Sequence, residues 1–105
     1  MEKIIYSKNI LDYFDDLVYV LFNNNYFLYL DNADMYLEKL VYFVSNSIAT
    51  FPHKKTPQEL LHFGEKYIFY KPNKRTTWYV FFNQYQEKYL ITGILNNHCE
   101  EAKFI

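Results

Sequence analysis

The chain has 105 residues, half of them hydrophobic and 22% aromatic, and a formal net charge of −1 at pH 7. This length fits one domain, residues 1–105, and the apolar content excludes an intrinsically disordered chain. The single cysteine, Cys99, excludes an internal disulfide and a multi-cysteine metal site. No apolar run reaches membrane-spanning length and no signal peptide is recognisable, so we expect a soluble, cytoplasmic protein.

The charge is unevenly distributed along the chain. Residues 1–50 carry three Lys against seven acidic residues, whereas residues 51–105 carry seven Lys and one Arg against five acidic residues. The excess is densest between His53 and Arg75, where six basic residues accompany only Glu59 and Glu65. A positive surface of this kind attracts a polyanion or an acidic partner segment. A solvated rim of loops would give the same pattern.

A short strand and two helices are predicted in the first half. Residues 3–7 are apolar and β-branched, which predicts a strand, and Ser7 or Asn9 is suited to cap the following helix. Apolar residues spaced by three and four predict helices over residues 9–24 and from Asp31 or Asn32 to a point before Pro52. The secondary structure of residues 26–30 is left open. The two apolar stripes are Ile10, Leu11, Phe14, Leu17, Val18, Leu21 and Phe22, and then Ala33, Tyr36, Leu37, Leu40, Val41, Val44 and Ile48.

Three consecutive strands are predicted in the second half. Residues 51–64 form the longest irregular stretch, which is either functional or a crossover from the helices to the sheet. Residues 67–70, 76–82 and 89–95 are rich in β-branched and aromatic residues and are separated by short turns, which predicts an antiparallel meander. We therefore expect an α+β domain of order β-α-α-β-β-β. Its helical hairpin packs on one face of an antiparallel sheet, and both faces of the sheet are largely covered.

This order and three local strings resemble the RelE/ParE superfamily of toxins from bacterial type II toxin–antitoxin systems, which includes plasmid stabilisation proteins. The strings are Lys66-Tyr67-Ile68-Phe69-Tyr70, then Arg75-Thr76-Thr77-Trp78-Tyr79-Val80-Phe81-Phe82, and Tyr89-Leu90-Ile91 leading to Asn96-Asn97-His98. They are similar to the second, third and fourth strands of ParE-like members, whose last strand often ends in a polar triplet containing His. The resemblance covers nearly the whole chain in layout.

The resemblance implies a growth-inhibiting toxin that binds a cellular target such as DNA gyrase and is neutralised by a cognate antitoxin encoded beside it. A homodimer or a hetero-oligomer with the antitoxin is a possible assembly. We expect no cofactor and no metal site, and no membrane partner. The residues assigned to binding are Lys66, Lys71, Lys74, Arg75, Trp78, Asn97 and His98.

Two other hypotheses stay open. RelE/YoeB-like members cleave mRNA on the ribosome, and here Glu59 would be the base, Arg75 the phosphate clamp and His98 the acid of a metal-independent endoribonuclease. Against cleavage, the strand that would carry the lysines of RelE-like members reads Tyr67-Ile68-Phe69-Tyr70, and the chain is not strongly basic. The third hypothesis is a non-toxic interaction module with the same fold.

Each of these residues also has a purely structural interpretation. His98 at a strand end is equally suited to a structural hydrogen bond, and Arg75 to a solvated turn. Glu59 is equally suited to cap a helical turn. Trp78 among Phe and Tyr fits a core position as well as a stacking platform for a base.

Overall fold

The computed structural model describes residues 3–23, 30–72, 74, 76–97 and 100–105, and for residues 17–23, 30–34 and 36 it describes the backbone only. The elements are strand β1 (Lys3–Tyr6), helices α1 (Lys8–Asn23) and α2 (Leu30–Ser47), strand β2 (Lys54–Lys55), the 3₁₀ helix η1 (Gln58–Phe63), strands β3 (Lys66–Tyr70), β4 (Trp78–Tyr85) and β5 (Lys88–Asn96), and the 3₁₀ helix η2 (Glu100–Phe104). The predicted strand–helix–helix–strand–strand–strand order is present, and β2, η1 and η2 are additions to it. The predicted helix end at Asn24 and the segment 26–29 lie outside the described residues.

One five-stranded sheet, in the order β1-β5-β4-β3-β2, forms the centre of the molecule. The predicted meander is confirmed, because β3 pairs antiparallel with β4 and β4 pairs antiparallel with β5. The expectation of a wholly antiparallel sheet is wrong, since β1 lies parallel to β5. Both helices and strands β2, β3 and β4 lie between β1 and β5 in the chain. This long connection permits the parallel pairing that a short hairpin would not.

The two helices pack on one face of the sheet, which we call the helix face. The Ser7 carbonyl, directly before α1, accepts hydrogen bonds from the amides of Ile10 and Leu11, while the Ser7 hydroxyl donates to the Asn9 side-chain oxygen. Buried residues of both helices meet alternate residues of the strands there, while Leu11 of the predicted stripe is 50% exposed and does not belong to the core. The buried cluster consists of Ile10, Phe14, Leu40, Val44, Ile48, Ile68, Trp78, Val80, Phe82, Tyr89, Ile91 and Ile94.

A β-bulge in β5 keeps this core continuous. Phe81 lies opposite Gly93 and Phe82 lies opposite Ile91, so Thr92 is an extra residue on the β5 side. Side chains alternate between the two faces of a strand, and one extra residue reverses that alternation. Ile91 and Ile94, three positions apart, therefore both belong to the helix-face cluster.

The opposite face of the sheet, which we call the second face, is covered by η1. Leu60 is fully buried there against Tyr67, Phe81 and Leu95, with Phe63 packed beside them. The stretch 51–64, predicted to be irregular, contains β2 and a 3₁₀ helix that carries part of the core. The expectation that both faces are largely covered is confirmed.

The docking of η1 requires two glycines. A Cβ at Gly93 would lie 2.7 Å from the Phe63 Cβ, and a Cβ at Gly64 would lie 2.8 Å from the Phe82 amide nitrogen. The hydroxyl of Thr92, the bulge residue, donates a hydrogen bond to the Phe63 carbonyl. The bulge is therefore also the point at which η1 is held against the sheet.

No helix in the described part of the chain combines the length and the apolar character that a membrane crossing requires.

Candidate binding site

The three residues assigned to cleavage are only partly placed by the structure. Glu59 is exposed in the first turn of η1. Arg75 and His98 lie outside the described residues. Their described neighbours are held together, because the Thr77 amide donates to the Asn97 side-chain oxygen at 3.0 Å and the Asn97 amide donates to the Thr77 carbonyl at 3.0 Å. Leu60, next to Glu59, shares a buried cluster with Leu95 of β5.

Trp78 does not take part in a binding surface. Its side chain is fully buried in the helix-face core, since it begins β4 at a position that faces the helices. The expectation that Trp78 contacts a partner or stacks on a base is therefore wrong. The burial of a large indole there stabilises the domain instead.

The described ones among the other predicted binding residues, Lys66, Lys71, Lys74 and Asn97, are exposed but do not form one cluster. Lys66 lies at the start of β3, opposite Phe82 of β4. Lys71 follows the end of the same strand, and Asn97 follows the end of β5. Lys74 is exposed in the connection between β3 and β4. Lys66 is therefore separated from Lys71 by the full length of β3.

Four lysines lie along the outer edge of β3, which we call the basic edge. It is formed by β2 and β3, with Lys54 opposite Tyr67 and Lys55 opposite Lys66. The Nζ atoms of Lys54 and Lys71 lie 5.8 Å and 6.0 Å from the centroid of the Phe69 ring, within the range of cation–π attraction. The basic edge thus carries Lys54, Lys55, Lys66 and Lys71 along one strand pair.

An apolar groove lies between α2 and the end of β3. It has a volume of about 470 Å³, and its lining includes Met35, Lys39, Tyr42, Phe43 and Tyr70. Met35 is 55% exposed and Tyr42 is 70% exposed. The groove is therefore a surface on which apolar contacts are available to a partner.

A row of aromatic rings connects this groove with the basic edge. The Phe43 ring stacks on Tyr70 at 4.8 Å between centroids and meets Phe51 at 5.4 Å. Phe51 in turn contacts Phe69 edge to face at 5.2 Å. Because the rings touch in sequence, the groove and the basic edge form one continuous surface.

Two tyrosines have shifted acidity, one on each face of the sheet. Burial raises the pKa of the Tyr67 hydroxyl under η1, and the nearby Tyr79 raises it further. Burial also raises the pKa of Tyr6 on the helix face. Both hydroxyls therefore stay protonated at neutral pH, and neither is suited to be a general base.

The groove and the lysines of β2 were not assigned from the sequence. The pair Lys54-Lys55 stood out only as part of the basic stretch, because its position opposite β3 depends on long-range pairing. Met35 and Tyr42 look like ordinary members of an amphipathic helix, and their exposure depends on how α2 is rotated against the sheet. Comparison with protein-family models, with curated proteins and with solved structures finds no match to this chain.

Proposed function

We propose that this protein is a ParE-like toxin of a type II toxin–antitoxin pair, which acts by binding a cellular target such as DNA gyrase and is neutralised by a cognate antitoxin. The element order and the three strand strings support the resemblance on which this proposal is based. The groove on α2 is the surface that we assign to the target.

The observation that carries the choice of binding over cleavage is the filling of the second face by η1. Leu60 is fully buried on that face and Phe63 packs beside it, above Phe81 and Leu95. A nuclease of this layout would place its acid, base and cations on an open sheet face. Here the described part of that face carries apolar core, whereas the open apolar surface lies on α2.

Expression of the chain from a tightly controlled promoter in a bacterium, with mapping of transcript 5′ ends, tests this proposal. We expect growth to stop without new 5′ ends. Tyr42→Asp should relieve the arrest at least tenfold in colony count, because it places a charge in the apolar groove. Tyr85→Asp is the matched control, since Tyr85 is 72% exposed at the far end of β4. New transcript ends would contradict the proposal, and so would equal effects of the two variants.

One observation favours the ribosome-dependent mRNA endonuclease as the second candidate. Two hydrogen bonds join Thr77 to Asn97, the residue before His98 in the sequence, and Glu59 lies exposed in the first turn of η1. New 5′ ends that disappear with Arg75→Ala would favour this candidate. Growth without arrest in a host whose translation and gyrase are intact would favour the non-toxic interaction module.

A further inference from the structure

We propose that the second face binds a nucleoside monophosphate at its hairpin end, next to the turn between β4 and β5, with the phosphate held between Lys3 and Lys88. This inference goes beyond the proposed function, because it concerns neither the groove on α2 nor the basic edge. The register of three strands, the charge and exposure of their side chains, and a hollow beside the turn support it.

A row of three polar side chains, which we call the lysine row, crosses the hairpin end of the sheet. Lys3 of β1 lies opposite Lys88 of β5, and Lys88 lies opposite Tyr85 of β4. Residues that lie opposite each other in neighbouring strands project from the same face of the sheet. Ile4 packs against the helix-face cluster, and side chains alternate along a strand, so the lysine row projects from the second face.

The lysine row borders a hollow that favours an anion. The hollow has a volume of about 390 Å³ and is lined by Lys3, Gln86, Glu87 and Lys88, so one acidic side chain accompanies two basic ones. No ion pair in the described part of the chain joins either of these lysines to an acid. Because like charges that face each other across two strands repel, an anion between Lys3 and Lys88 would relieve their repulsion.

The backbone beneath the lysine row is held in place before any ligand binds. The Lys3 amide donates a hydrogen bond to the Glu87 carbonyl at 2.9 Å, which ties β1 to the turn. Gln86 has a left-handed backbone with a φ of 56°, and its carbonyl accepts a hydrogen bond from the Gln84 side-chain amide at 3.1 Å. A ligand therefore meets two ammonium groups whose backbone positions are already set, which lowers the cost of binding.

An exposed apolar pair lies beside the lysine row, toward the centre of the sheet. Ile5 of β1 lies opposite Leu90 of β5, and the two side chains are 39% and 38% exposed, so η1 does not cover them. Residues on the same face of a strand are about 6.6 Å apart, which is two strand rises. Tyr85 adds an aromatic ring that is 72% exposed. A flat base attached to the phosphate would find apolar and aromatic contacts within this distance.

The charge of the lysine row favours a phosphate monoester over a nucleic-acid backbone. A phosphate monoester carries about two negative charges at neutral pH, whereas each backbone phosphodiester carries one. Two lysines supply two point charges, which match the monoester. The volume of about 390 Å³ also lies within the range of about 300–1,000 Å³ that small-molecule sites occupy. The ligand that fits these features is therefore a free nucleotide with one terminal phosphate.

Titration with adenosine 5′-monophosphate, followed by the amide resonances in NMR at low salt, tests this inference. The resonances of Lys3, Lys88 and Leu90 should shift and saturate. Adenosine 3′,5′-cyclic monophosphate keeps the base and carries one negative charge, so it should bind at least fivefold more weakly. Inorganic phosphate and adenosine, which each lack one half of the ligand, should also bind at least fivefold more weakly.

Two double variants and one single variant locate the site. Lys3→Gln with Lys88→Gln should weaken the binding of adenosine 5′-monophosphate at least tenfold. Lys55→Gln with Lys66→Gln should leave it within twofold, because these residues form an equivalent facing pair at the opposite edge of the sheet. Glu87→Gln should tighten it about threefold, since it removes a negative charge from the hollow. Equal loss in both double variants would overturn the inference, because it would show attraction by net charge alone.

Three other results would also overturn it. These are shifts that do not saturate, equal affinity for the cyclic nucleotide, and tighter binding of a twelve-nucleotide oligothymidylate than of adenosine 5′-monophosphate. Each is distinguishable from failure of the proposed function. Growth arrest without nucleotide binding removes this inference and keeps the toxin, whereas nucleotide binding without growth arrest keeps the site and removes the toxin.

Discussion

The two faces of the sheet carry buried clusters of different size. On the helix face, residues from two long helices and from three strands of the meander share one large buried cluster. On the second face, a 3₁₀ helix of 6 residues supplies Leu60 to a small cluster with Tyr67, Phe81 and Leu95. We therefore expect the helix face to contribute most of the stability, and the loss of η1 to leave the rest of the fold in place.

The largest expected effect is the loss of stability when Trp78 is replaced, and this effect distinguishes the two faces most clearly. Trp78→Ala should destabilise the domain by about 3–5 kcal/mol, because a fully buried indole is replaced by a cavity. Tyr79→Ala is the matched control. Tyr79 follows Trp78 in the chain and is half-buried on the second face, so its replacement should reduce stability distinctly less. Urea denaturation followed by circular dichroism measures both, and equal losses would contradict the comparison.

A smaller effect is expected at the centre of the second face. Leu60→Ala should cost about 2–3 kcal/mol, at the lower end of the range for buried leucines, because η1 is free to relax. Amide exchange should accelerate in η1 while β4 and β5 remain protected. Leu61→Ala, at a position that is 47% exposed, should change stability by less than about 0.5 kcal/mol. Loss of protection throughout the sheet would show that the two faces are not independent.

The contact between η1 and the bulge can be broken by a single methyl group. Gly93→Ala should destabilise the domain by about 1–3 kcal/mol, because the new Cβ would lie 2.7 Å from the Phe63 Cβ. Combined with Phe63→Gly, the same change should cost less than it does alone, since the Phe63 Cβ and ring that the new methyl group would meet are then absent. A double-mutant cycle measures this coupling. Additive losses would mean that Gly93 does not act through Phe63.

The smallest expected effect is on the pH dependence of stability. Tyr67 and Tyr6 have raised pKa values when folded, so their contribution to stability is complete below about pH 10, the ordinary tyrosine value, and is lost as the pH rises through the folded value. Tyr67→Phe and Tyr6→Phe should each reduce the fall in melting temperature above pH 10. The assignment to Tyr67 and Tyr6 would be wrong if the melting temperature of both variants fell above pH 10 as much as that of the native chain.

Local patterns in the sequence predicted the elements well. Ile10 with Phe14, and Leu40 with Val44 and Ile48, have helical spacing and lie in the helix-face core. The three C-terminal strands and their antiparallel pairing followed from short turns between β-rich runs. These features depend on neighbours in the chain, which periodicity and turn length describe.

Features that depend on distant residues were not predictable. The parallel pairing of β1 with β5 joins the two ends of the chain, and the bulge at Thr92 becomes visible only once β4 and β5 are in register. Leu60 was placed in an irregular loop, although the apolar pair Leu60-Leu61 after a proline was a signal for a buried turn.

The candidate site was predicted less well than the fold, because surface position depends on how elements are oriented. Lys66 and Lys71 were assigned to one surface but lie at opposite ends of β3, while Trp78 lies in the core. The charged stretch around residues 53–75 contains the lysines that lie along β2 and β3. The lysine that faces Lys66 could be identified only from the pairing of β2 with β3.

The most direct test of the account is a growth assay of one triple variant, Glu59→Gln with Arg75→Gln and His98→Gln, compared with the native chain at equal protein level. The account predicts that growth arrest persists, because the groove on α2 is the surface that we assign to the target. Folding of the variant is checked by circular dichroism. Loss of growth arrest in a folded triple variant, with arrest retained in Tyr42→Asp and with new transcript 5′ ends produced by the native chain, would contradict the account and favour the nuclease.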